Sequence, residues 1–82
     1  MFYTYILYSA VHDRYYIGQT NDITKRLIRH NAGNVRSTKP FRPWEIVYYE
    51  EFETRKESMN REAKLKSWKS VKELKKLIST FQ

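Results

Sequence analysis

The sequence predicts an α+β fold in which a three-stranded antiparallel sheet is flanked by helices. Two observations carry this. Three short runs, "FYTYILYS", "RYYIG" and "WEIVYYEEF", are rich in aromatic and β-branched residues, a composition suited to a pleated, half-buried surface. Three other segments open on helix-capping residues and then space apolar residues three and four apart, as one face of a helix requires. Their order is strand, strand, helix, strand, helix, helix.

In the first strand, Phe2, Thr4, Ile6 and Tyr8 share one face and Tyr3, Tyr5 and Leu7 the other, because successive side chains alternate. The second strand follows after only "AVHD", so a hairpin is the economical connection. A register that sets Tyr5 opposite Tyr16, or diagonal to it, puts both rings on one face. "TNDITKRLIRHNAG" offers Thr20 or Asn21 as N-cap, Asp22 as a first-turn acid, an apolar face of Ile23, Leu27 and Ile28, and Gly33 beyond the end. On that helix Arg26 and His30, four residues apart, project from one side.

"NVRSTKPFRP" reads as a loop, since prolines and small polar residues exclude regular structure. The third strand is apolar on both faces in its first half, which predicts a central position, and Trp44 anchors its start. Thr54 and Glu57 form a T-x-x-E capping box that opens a helix through Lys66. Ser70 and Glu73 form another before Val71, Leu74, Leu77, Ile78 and Phe81. Met59, Ala63 and Trp68 are expected in the core.

Eighty-two residues suit one domain, 1–82, built around a single core. Cysteine is absent, which excludes disulfides and thiolate metal sites. No run is apolar enough for a membrane span, no leader is read at the start, and a cytoplasmic location is expected. The net charge is +7, from sixteen Lys and Arg against nine Asp and Glu. It is segregated: residues 25–42 hold six basic side chains and no acid, residues 54–82 hold nine against three, and residues 43–53 carry four glutamates. Two basic blocks interleaved with aromatics point to nucleic acid as the partner, DNA first with RNA left open.

Tyr5, Tyr16, Gly18, Arg26, His30 and Glu62 recur in an order that resembles the GIY-YIG nuclease family. "YTY" at Tyr3 to Tyr5 stands where that family has Gly-Ile-Tyr, and "YIG" at Tyr16 to Gly18 matches outright, with ten residues between the two tyrosines. The likeness continues to Glu62 in "REAKLK" and is nearest to the small stand-alone members that resemble the nuclease domain of the nucleotide-excision-repair excinuclease. The resemblance implies a metal-dependent DNA endonuclease, structure-directed cutting, a link to DNA repair, and 5′-phosphate and 3′-hydroxyl ends.

Phosphodiester hydrolysis needs a deprotonated in-line water, neutralisation of charge on the phosphorus oxygens, and help for the departing oxygen. Glu62 is the candidate ligand of one Mg²⁺ or Mn²⁺ ion, completed by waters and phosphate oxygens. Arg26 offers a planar fork of donors to non-bridging oxygens. Tyr16 is assigned the general-base role and Tyr5 the positioning of water or phosphate, with His30 as an acceptor near neutral pH. Lys25, Arg29, Lys39 and Lys66 are candidate backbone contacts, and Gly18 is structural within the motif.

The same residues have plainer readings. Glu62 suits an i,i+4 partner of Lys66, His30 a stabiliser of the helix dipole, and Gly18 a φ-permissive turn. Larger family nucleases often carry an asparagine near the domain end, and none follows Asn60 here. The alternative function is therefore a non-catalytic nucleic-acid-binding module on the same fold.

Overall fold

Phe2–Ser9 forms β1, which lies in the middle of a three-stranded antiparallel sheet between β2 (Arg14–Thr20) and β3 (Glu45–Phe52) in a computed structural model that describes residues 1–81. Helix α1 is Ile23–Asn31, α2 is Arg55–Lys66 and α3 is Val71–Ile78. Class and element order follow the expectation, but the central strand is β1 and not β3. Both strands are apolar on two faces, so hydropathy alone did not separate them. The glutamates of β3, Glu45, Glu50 and Glu51, are the mark of an edge, where charge discourages further pairing.

The alternation of β1 divides the core into two layers. Ile6 packs with Tyr48, Leu65 and Leu74 beneath α2 and α3, while Tyr5 and Leu7 pack with Trp44, Ile23 and Leu27 beneath α1. A bulge between Ile6 and Leu7 shifts the register against β3. Trp44 is buried and clamps the start of β3. Its backbone N–H donates to Asn31 Oδ1 at 2.7 Å, its carbonyl accepts from Asn31 Nδ2 at 3.0 Å, and its indole donates to the Thr38 carbonyl at 2.9 Å.

Helix entries differ in detail from expectation. The N-cap of α1 is Asp22, whose carboxylate accepts from the Lys25 backbone N–H at 3.0 Å. Thr20 and Asn21 precede it, and Thr20 Oγ1 accepts from the Asp22 N–H instead. Gly33 follows the end of α1 with φ +82°, a left-handed conformation that glycine adopts without a Cβ penalty. The Thr54–Glu57 capping box opens α2 as predicted. Ser70 caps α3 through the Lys72 N–H, without the reciprocal glutamate bond, and Phe81 lies past the helix end.

A short 3₁₀ turn, Lys39–Phe41, interrupts the segment expected to be wholly irregular. Met59 and Ala63 are exposed and do not belong to the core. The inward stripe of α2 instead begins at Ser58, fully buried, and runs to Leu65. The small serine lets the helix approach β1 closely enough for Thr4 Oγ1 to donate to the Ser58 carbonyl at 2.7 Å. No helix among the described residues is long and apolar enough to cross a membrane.

Candidate active site

The hairpin pairs Tyr5 with Gly18 and Leu7 with Tyr16, so Tyr16 stands diagonal to Tyr5 on the same face of the sheet. Their ring centroids are 6.4 Å apart. From α1, His30 closes the group, with centroids 5.0 Å from Tyr16 and 6.0 Å from Tyr5, and Trp44 flanks Tyr16 at 6.3 Å.

Gly18 is required here by close approach, not by turn geometry. It lies inside β2, and a Cβ on it would sit 2.5 Å from the Tyr5 hydroxyl oxygen, 2.6 Å from its Cζ and 3.1 Å from Tyr16 Cε2. Tyr5 cannot yield, because its ring is buried and its hydroxyl is engaged. Gly18→Ala is therefore expected to destabilise the fold by about 1–3 kcal/mol, the usual range for overpacking a filled site. Chemical denaturation measures this, and a midpoint equal to wild type would refute the close-approach account.

The engaged partner is His30, which is fully buried. Tyr5 Oη lies 3.0 Å from His30 Nε2, and His30 Nδ1 lies 2.8 Å from Thr38 Oγ1. The Thr38 hydroxyl donates its one proton to the Val35 carbonyl at 3.3 Å. With that proton on the carbonyl, Thr38 accepts from His30 Nδ1–H and Nε2 accepts from the Tyr5 hydroxyl. Burial pushes the His30 pKa down to about 4, and the Arg26 and Arg29 charges add to this. His30 is neutral and serves Tyr5; fully buried, it does not stand open to an attacking water, the task that the sequence offered it. Burial also pushes the Tyr5 phenol up to about 12; Arg26 opposes the rise, and Tyr16 and Glu62 add to it. Of the two tyrosines, Tyr16 is the more accessible.

Arg26 is half-buried on α1. Its Nε is buried and has no hydrogen-bond partner among the described residues, and its guanidinium acts on both Tyr5 and His30. Lys25 and Arg29 are exposed on the same helix, and Lys39 is exposed on the 3₁₀ turn.

Glu62 comes from the opposite layer. The Thr4–Ser58 bond and a two-pronged ion pair from Arg61 Nε and Nη2 to Glu50, both at 3.0 Å, fix the rotation of α2. Arg61 is drawn toward β3. Glu62, the next residue and about 100° further around the helix, pairs with Lys66 at 2.9 Å. The plainer i,i+4 reading of Glu62 is thus realised, and the link to the tyrosines is through its field at Tyr5.

Among the described residues no group of three or more His, Cys, Asp or Glu could hold a metal. A single carboxylate with one oxygen engaged by a lysine still fits a magnesium ion that keeps most of its waters and takes phosphate oxygens. The structure brings Tyr5, Tyr16 and His30 into contact, with Arg26 acting on two of them.

Sequence reasoning missed Thr38, which fixes the His30 tautomer, and Asn31, which holds the loop to α1. Neither carries a periodic or spacing signal, since both act through a turn whose path is set by tertiary packing.

Comparison with known proteins follows the same lines. The family model described as the GIY-YIG catalytic domain matches residues 1–75. A UPF0213 protein of Bacillus pumilus is 44% identical over 54 residues, 65% of this chain and 55% of that protein. A UPF0213 protein of Staphylococcus saprophyticus is 43% identical over 61 residues, 73% of this chain and 74% of that protein. The solution NMR structure of a UPF0213 protein from Bacillus halodurans matches with a TM-score of 0.60 at 28% identity, covering 98% of this chain and 85% of that one. The match thus spans only about half of the Bacillus pumilus relative.

Proposed function

The chain belongs to the GIY-YIG family, and from that premise we propose that it is a Mg²⁺- or Mn²⁺-dependent endonuclease that hydrolyses phosphodiester bonds in DNA. Family membership supports a nuclease role on nucleic acid with a divalent ion. The observation that carries the finer reading is the Arg26 guanidinium set beside Tyr5, whose hydroxyl is bonded to His30, with Tyr16 packed against the same imidazole.

Each residue then has a task. Arg26 binds a non-bridging phosphate oxygen and strengthens that contact as charge grows in the transition state. Tyr16, the accessible ring, takes the proton of the attacking water. Tyr5 is 1% exposed, so it acts through its neighbours: with His30 it holds the Tyr16 ring in place. Glu62 would hold the divalent ion, which when bound draws charge from the phosphate and the departing oxygen. Lys25, Arg29 and Lys39 bind backbone phosphates without reading sequence. We place the protein in the cytoplasm, in DNA processing or repair.

A second reading, a nucleic-acid-binding module without chemistry, is favoured by the Glu62–Lys66 pair, which neutralises the carboxylate the metal needs. Incubating the protein with supercoiled, single-stranded and branched DNA and structured RNA, with and without Mg²⁺ or Mn²⁺, decides between them. Metal-dependent cutting is expected, and inertness on every substrate with either ion would leave the binding module. On both readings log affinity should fall linearly with log salt, because bound lysines and arginines displace counterions. An affinity unchanged between low and physiological salt would count against a nucleic-acid partner.

A further inference from the structure

A cleft of about 330 Å³ opens beside the candidate site, where the edge of β2 meets the connection between α2 and α3. Tyr15, Trp68, Val71 and Leu74 form its apolar walls, and Lys66 and Lys69 stand on its lining. Tyr16 borders it too, but strand alternation turns its ring to the other face, toward Tyr5 and His30, so the cleft and the tyrosine cluster meet across the edge of β2. Lys66 provides a second link, since it is the residue that grips Glu62.

We propose that this cleft is a nucleobase subsite that receives one unpaired nucleotide next to the scissile phosphate. This deepens the nuclease reading and rests on it for the position of the cut. Three features favour a base over other occupants. The volume is at the lower end of small-ligand pockets, enough for one planar ring system and not for a stretch of duplex. Trp68 and Tyr15 supply aromatic surface, and stacking on such rings accepts any base because each has a π-face. The lysines supply positive charge where the phosphates flanking that base would pass, and Lys69 is exposed and makes no ion pair among the described residues.

The indole is also held before any ligand arrives. Arg61, fixed by Glu50, places its guanidinium carbon 5.9 Å from the Trp68 ring centroid, so little ordering remains to be done on binding. A base stacked inside a duplex cannot reach the cleft without leaving the helix, and extrusion is least demanding where the base is already unpaired. The substrate class that follows is a nucleic acid with an unpaired nucleotide adjoining the cut.

The test is binding in metal-free buffer with chelator, where no cleavage intervenes. A duplex with one unpaired nucleotide and a fully paired duplex of equal length are compared by fluorescence anisotropy. The unpaired form should bind roughly 5- to 150-fold more tightly, the factor that stacking one base supplies. Trp68→Ala should bring the two affinities together, while Trp68→Phe, which keeps a ring, should retain most of the difference. Because Trp68 also packs against the core, wild-type tryptophan emission gives a readout that needs no variant. It should change more with the unpaired form than with the paired one: Trp44, beside Tyr16, meets both duplexes at the same site, so the difference between them reports Trp68.

Equal affinity for both duplexes with the same emission response to each would overturn the proposal. If the protein cuts DNA but shows no preference, the subsite fails and the nuclease reading stands. A preference in a protein inert on every substrate supports the subsite and removes the nuclease reading.

Discussion

Glu62→Gln is expected to abolish cleavage while leaving DNA affinity unchanged or slightly higher. Glutamine keeps the size of the side chain and one oxygen but removes the charge that would hold a divalent ion, so the loss falls on the chemical step. The gain in affinity has a structural origin: Lys66 now sits 2.9 Å from the Glu62 carboxylate, and losing that charge frees the lysine for a phosphate. Arg26→Ala should behave differently. The guanidinium is asked to hold the ground-state phosphate and to stabilise its transition state, so binding and rate both fall, the rate by roughly 100- to 1000-fold. Single-turnover cleavage together with anisotropy in chelator separates the two effects. A Glu62→Gln protein that cuts at the wild-type rate would place any activity elsewhere in the chain or in a contaminant.

That contrast depends on a placement only half legible in the sequence. Element types were readable because capping chemistry and the period of the apolar residues are local, and the "YIG" spacing set Tyr5 and Tyr16 on one face once the hairpin was recognised. The strand order was not readable from hydropathy. The run that reads as buried on both faces in β3 is covered by side chains of both layers, Ile46 packing with Tyr5, Leu7 and Trp44 and Val47 and Tyr48 with Ile6 and Leu65, although β3 pairs on one edge alone. Met59 failed as a core residue for a related reason: α2 docks through a serine and a backbone carbonyl, which hydropathy scores as polar. Gly18 was visible as a motif residue, but its cause was not, because the requirement lies in a tyrosine ring on the neighbouring strand. Thr38 is a polar residue in a proline-containing loop until the chain folds it beneath His30.

Acidification should weaken the protein through His30 before its carboxylates titrate. In the folded chain its pKa is pushed down to about 4, whereas an unfolded histidine takes up its proton near 6.5. Between these values the unfolded chain holds one more proton than the folded one, so stability rises with pH. The contribution is complete above about pH 6.5 and is lost progressively as pH falls toward 4. At roughly 1.36 kcal/mol per pH unit, the loss between pH 6.5 and 5 is about 2 kcal/mol, a large share of the stability of so small a chain. Protonation is resisted by burial first, and Arg26 and Arg29 repel a cation there, while the Tyr5 hydroxyl would have to turn from donor to acceptor at Nε2. Denaturant midpoints at pH 7 and pH 5 measure the effect. A His30→Gln variant, which retains a donor and an acceptor but does not titrate, should be weaker at pH 7 yet lose less on acidification. An identical pH dependence in variant and wild type would show that the neutral His30 is not what the acid attacks. Should the expected difference appear, the same protonation removes the acceptor of the Tyr5 hydroxyl, so acid would loosen the tyrosine cluster before it unfolds the chain.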